Sequence, residues 1–122
     1  MAVVLIIDDS PTELHLFQNM LEKNGFETLV ADSGEEGVRQ ARASRPDCII
    51  MDVVMPGMNG FQATRKLSKD PATAAIPVII VTTKDQESDK VWGMRQGAVE
   101  YVIKPVAEDQ LVQTINAVVQ AA

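Results

Sequence analysis

Five short apolar runs, each followed by a stretch with helical punctuation, constrain this chain more than any other feature. In order they are VVLIID (Val3 to Asp8), ETLVA (Glu27 to Ala31), DCIIMD (Asp47 to Asp52), PVIIVTT (Pro77 to Thr83) and EYVIK (Glu100 to Lys104). The first, third and fourth are nearly continuous in β-branched and aliphatic residues. That is the pattern of strands covered on both faces, as in a parallel sheet packed between helices.

The intervening segments carry helix starts and stops. Ser10-Pro11-Thr12-Glu13 reads as a capping box with proline at the first helical position. Leu14, Phe17 and Leu21 then share one face, and Gly25 stands where a left-handed terminus is wanted. Further helices are expected over Gly34 to Ser44, Phe61 to Lys69 and Gln86 to Gln96, the last closed by Gly97. A fifth is expected over Ala107 to Gln120, with Leu111, Ile115 and Val118 as its apolar stripe. Strictly alternating strands and helices predict a doubly wound (βα)5 α/β domain over residues 1–122 with right-handed crossovers. Its parallel five-stranded sheet should run in the order 2-1-3-4-5, with ligands at the carboxyl edge where strands 1 and 3 diverge.

That edge collects chemistry. The first strand ends in Asp8-Asp9, the third in Asp52, the fourth in Thr82-Thr83 and the fifth in Lys104-Pro105. Three carboxylates in one pocket repel unless a cation relieves them. Oxygen-only donors without His or Cys suit a hard divalent ion, Mg2+ above all. Asp52, alone on the central strand, is the best-placed nucleophile; carboxylates do accept phosphoryl groups to give acyl phosphates. The metal and Lys104 could then neutralise the non-bridging oxygens, and a threonine hydroxyl could donate a further hydrogen bond. Taken singly, each of these residues has a plainer reading, since Asp is a common turn and cap residue and a lone Lys is usually a solvated charge.

Composition narrows the alternatives. Lys and Arg number 11 against 17 Asp and Glu, a net charge of −6, which disfavours nucleic acid and anionic membrane surfaces as partners. The single cysteine, Cys48, sits in an apolar run and reads as a small buried hydrophobe. The single histidine, His15, reads as a surface residue. No run approaches the ~20 apolar residues of a membrane span and no signal segment opens the chain, so a cytoplasmic location is expected. Met51, Met55 and Met58 read as core and loop filling, whereas Trp92 either anchors a partner or covers the sheet.

Across its whole length the chain resembles response-regulator receiver domains. LIIDDS matches their acidic-pair strand, MDVVMPGMNG the phosphoacceptor strand and loop, VIIVTT the Thr/Ser strand, and YVIKP the Lys-Pro strand. The interval to Lys104 favours Thr82 over Thr83 as the switch hydroxyl. The resemblance implies the receiver (flavodoxin-like) fold and phosphorylation of Asp52 by a sensor histidine kinase's phosphohistidine. It implies Mg2+ held directly by Asp9, Asp52 and the Val54 carbonyl, with Asp8 acting through water. It also implies Thr82 and Lys104 on the phosphoryl oxygens and a cis bond at Lys104-Pro105. Phosphorylation would draw Thr82 inward, let Tyr101 turn in behind it, and reshape the face of the fourth helix, fifth strand and fifth helix, where a downstream protein docks. Val54 and Lys84 stand at positions that tune water's access to the acyl phosphate, so a phosphoryl lifetime not among the shortest is expected. No separate substrate turnover is expected.

No output domain is expected after the fifth helix, and the chain resembles stand-alone, chemotaxis-type receivers. The region GFQATRKLSKDPATAAIPVIIVTTKDQESDKVWGMRQGA looks especially like receivers of type IV pilus twitching-motility systems. Three other readings compete. Aspartyl-nucleophile phosphatases carry D-x-D-x-T after the first strand, whereas here the two Asp are adjacent. A flavin-nucleotide carrier would set Asp8 and Asp9 against a phosphate. A receiver-like module that is never phosphorylated would have little use for the full acidic set.

Overall fold

The computed structural model describes residues 1–121. Strands β1 (Val3–Ile7), β2 (Glu27–Ala31), β3 (Cys48–Met51), β4 (Val78–Thr82) and β5 (Glu100–Ile103) alternate with helices α1 (Pro11–Lys23), α2 (Gly34–Ser44), α3 (Gly60–Lys69), α4 (Glu87–Gln96) and α5 (Glu108–Ala121). All strand pairs are parallel and the order is β2-β1-β3-β4-β5, as expected.

The sheet separates two cores by the two-residue period of its side chains. Leu5, Ile7, Ile49, Met51 and Ile80 face one core with Val38, Ala41, Phe61 and Leu67 of α2 and α3. Val4, Ile6, Cys48, Ile50, Ile79 and Val81 face the other with Phe17, Leu21, Leu111 and Ile115 of α1 and α5. This explains the continuous apolar runs of β1, β3 and β4, which are buried on both sides. The edge strands β2 and β5 are only partly buried, and their sequences carry polar residues accordingly.

Local boundaries differ from the expected ones by a residue or so. Asp47 and Asp52 flank β3 rather than belonging to it, Gln86 precedes α4 as its N-cap, and Ala107 precedes α5. At the end of α1 the left-handed residue is Gly25 (φ 89°), and Phe26 N–H reaches back to the Leu21 carbonyl at 3.0 Å. The capping box expected at α1 is only half made. Ser10 Oγ accepts from Glu13 N–H at 3.3 Å, but the Glu13 carboxylate does not return the bond. A complete box forms instead at α3, where Asn59 and Gln62 exchange bonds of 2.9 Å.

Candidate functional site

The carboxyl edge of the sheet is held by backbone hydrogen bonds that run one residue past the strands. Asp8 N–H donates to the Ala31 carbonyl (3.1 Å), Asp52 N–H to Ile7 (3.0 Å) and Lys104 N–H to Thr82 (2.9 Å). Each functional backbone is therefore clipped to the neighbouring strand. By the alternation that sorts the cores, Asp8, Asp52 and Lys104 continue the α1/α5 side, in step with Ile6, Ile50 and Val102. Thr82 and Tyr101 continue the opposite side, in step with Ile80 and its register partner.

Carboxylate oxygens of Asp8, Asp9 and Asp52 lie within 4.8 Å of one another. Asp8 is buried and both its oxygens are engaged: Oδ1 accepts from Ser10 N–H at 3.0 Å and Oδ2 from Lys104 Nζ at 2.9 Å. Asp9 is exposed. Asp52 is 8% exposed; its Oδ1 accepts from Val53 N–H at 2.8 Å, and its Oδ2 faces Lys104 Nζ at 3.7 Å. Burial pushes the Asp52 carboxyl above the usual carboxylate range. Lys104 opposes that shift, Asp8 adds to it, and the Val53 amide and Thr82 hydroxyl relieve only part of it. Burial alone would lower the Lys104 ammonium, but the Asp8 hydrogen bond, the Asp52 and Asp8 charges and Glu13 outweigh it and raise its pKa. Oxygen donors on three clustered carboxylates, one of them buried and held above its ordinary pKa, fit a hard divalent cation better than any softer metal.

Thr82 is fully buried, its Oγ1 3.4 Å from Lys84 N–H. The half-buried Tyr101 packs its ring against Gly93 of α4 and donates its hydroxyl to the Lys84 carbonyl at 2.8 Å. Burial, then the charges of Asp89, Asp52 and Asp85, push the Tyr101 phenol up to about 12. The Lys84 ammonium lies 3.8 Å from Asp89, which draws it along α4. Val54 is exposed, and the Lys104-Pro105 bond is cis. Cys48 is fully buried with its thiol pushed up to about 12 by burial, and His15 is exposed, as expected of each. Met51 and Met55 are buried and Met58 packs against the core.

Two features depart from the sequence reading or were absent from it. Trp92 is 49% exposed beside Val91 and Met94, so the reading in which it covers the sheet is set aside. The Glu13 carboxylate, freed from the cap, sits 3.1 Å from Lys104 Nζ, with the Phe17 ring one turn further along α1 5.7 Å from the same ammonium. Only the position of Glu13 in the first turn after the acidic strand end could have hinted at this. Among the described residues no helix is long and apolar enough to cross a membrane.

The family model described as "Response regulator receiver domain" matches residues 4–116. Protein PilH of Pseudomonas aeruginosa is 63% identical over 118 residues, covering 97% of this chain and 98% of that protein. The alkaline phosphatase synthesis transcriptional regulatory protein PhoP of Bacillus subtilis is 31% identical over 96% of this chain, which spans 48% of that longer protein. Among solved structures, the chemotaxis protein CheY4 of Vibrio cholerae superposes with a TM-score of 0.91 at 31% identity, covering 97% of this chain and 98% of that one. A receiver domain from Clostridium thermocellum gives 0.91 at 33% identity over 99% of this chain and 96% of its own.

Proposed function

Because the chain belongs to the response regulator receiver domain family, we propose that it accepts a phosphoryl group on Asp52 from a phosphohistidine of a sensor histidine kinase. The observation that carries this reading is the buried Asp52 carboxylate, with one oxygen tied to Val53 N–H and the other turned toward the Lys104 ammonium. Asp52 Oδ2 forms the new bond to phosphorus as the phosphorus–nitrogen bond of the donor breaks, and that bond's electron pair returns to the imidazole nitrogen. Lys104 and Thr82 hold the phosphoryl oxygens, and the hydrogen bonds they donate stabilise the charge that develops there. Asp9, Asp52 and the Val54 carbonyl would hold Mg2+, with Asp8 acting through water because Lys104 and Ser10 already occupy its oxygens. The bound ion would supply further charge neutralisation at the phosphoryl oxygens. The acyl phosphate is later hydrolysed, with Val54 and Lys84 controlling the approach of water.

Phosphorylation is read out at the β5 edge of the sheet. Thr82, Tyr101 and Pro105 make up the switch, with Thr82 and Tyr101 coupling the site to α4, and the switched face is α4–β5–α5. Val91, Trp92, Met94 and Val99 leave large apolar side chains exposed on and just after α4, which suits a protein-docking surface. The partner is a cytoplasmic motility or signalling protein, and likeness to PilH supports a chemotaxis-like pathway serving type IV pilus twitching motility.

The test uses Trp92 as reporter. Addition of Mg2+ with beryllium fluoride or acetyl phosphate should change Trp92 fluorescence in the wild type and not in Asp52→Asn. A change that survives in Asp52→Asn would overturn the assignment of Asp52. Steady phosphate release from phosphomonoesters would point to a phosphatase, and silence in both proteins to an unphosphorylated module.

A further inference from the structure

We propose that Glu13 is a positioning residue that holds the Lys104 ammonium back from Asp52, so that phosphoryl oxygens must win Lys104 from α1 before it can stabilise them. This inference rests on the phosphoacceptor reading given above. Ser10 supplies its half of a capping box, and Glu13 stands at the third helical position where it should complete the other half. It does not. Its Oε1 lies 3.1 Å from Lys104 Nζ, and the Ser10 amide is taken by Asp8 instead. A local rule broken at a site, with the displaced group recruited to a functional side chain, is where function is expected to override propensity.

The ammonium has three protons to share. One is donated to Asp8 at 2.9 Å and the Glu13 carboxylate pairs with the ammonium at 3.1 Å, while Asp52 Oδ2 at 3.7 Å lies beyond hydrogen-bond range. Glu13 and Phe17, one turn apart on α1, both attract Lys104 toward the helix. A side cavity of about 280 Å³, lined by Glu13, Phe17, Thr83, Lys104 and Pro105, gives the lysine arm room on that side. The Asp52 oxygen is thereby left free to attack, and the acyl phosphate is less firmly clamped than it would be with Lys104 unrestrained.

The experiment titrates beryllium fluoride at fixed Mg2+ into wild type, Glu13→Gln, Glu13→Asp, Lys104→Met and the Glu13→Gln/Lys104→Met double variant, reading Trp92 fluorescence. A partly buried ion pair of this kind is worth about 1 kcal/mol, so Glu13→Gln should lower the half-saturating concentration by about fivefold. Glu13→Asp, whose shorter arm cannot reach the ammonium, should match Glu13→Gln. In the Lys104→Met background the Glu13 substitution should have no effect. A wild-type response with Glu13→Gln unchanged overturns this proposal alone. So does an equal Glu13→Gln effect with and without Lys104, or Glu13→Asp behaving as wild type, since both would reduce Glu13 to a background charge. Absence of any response in the wild type overturns the phosphoacceptor reading and this proposal with it.

Discussion

Asp52 is electrostatically uncomfortable in the native state, and that discomfort is measurable. Its carboxyl is held above the ordinary value by burial, with Asp8 adding and Lys104 opposing. Between the ordinary value and the raised one, the native state keeps a proton that the unfolded chain has released, so stability falls as pH rises through that window. In metal-free buffer at pH 7, Asp52→Asn should therefore melt roughly a few degrees above wild type. The difference should close below about pH 4, where the unfolded carboxyl is protonated too. Equal melting at pH 7 would mean that Lys104 fully offsets the penalty. The convergence of Asp8, Asp9, Asp52 and Lys104 was legible in the sequence because each follows a strand-like run and parallel strands share an edge. Glu13 was not legible as a lysine partner, because its spacing from Ser10 satisfied a purely local rule and nothing in the linear chain ranks that rule below a contact with Lys104.

At the scale of elements, the strongest signal was the apolar run buried on both faces. Ile50 at the centre of β3 is 1% exposed, between Ile6 of β1 and Ile79 of β4. Ile50→Ala should cost about 2–5 kcal/mol of unfolding free energy, which urea titration of the metal-free protein would register as a shift in midpoint at constant slope. A loss under ~1 kcal/mol would mean the core relaxes around the vacancy far more than close packing allows. Element boundaries were legible only to about a residue. Cys48–Met51 is shorter than the run from Asp47 to Asp52, and the flanking carboxylates serve other partners: Asp47 accepts from the Val3 amide at 2.7 Å, and Asp52 turns into the site. The exposure of Trp92 was undecided in the sequence. The α4 segment has no clear apolar stripe, its two buried residues being Gly93 and Gln96, so periodicity could not say which side faces water.

For the whole molecule, both cores rest on the same five strands, and neither helix layer can detach without exposing the sheet face it covers. Unfolding should be a single transition. Urea curves followed by far-ultraviolet circular dichroism and by Trp92 fluorescence should coincide, and a fluorescence midpoint well below the circular dichroism midpoint would show α4 loosening on its own. The hydrogen bonds that clip Asp8, Asp52 and Lys104 to their neighbours bind the chemistry to the same two-residue alternation that sorts the cores. Insertions and deletions are thus unequal in their effects. Loops at the amino edge of the sheet can lengthen without reaching the site. One residue gained within Cys48–Met51 would exchange the two cores' side chains and turn the residue-52 carboxylate away from Lys104 at a stroke. The reading frame of the strand is the reading frame of the chemistry, so lineages of this chain can remodel their loops but not the parity of their strands.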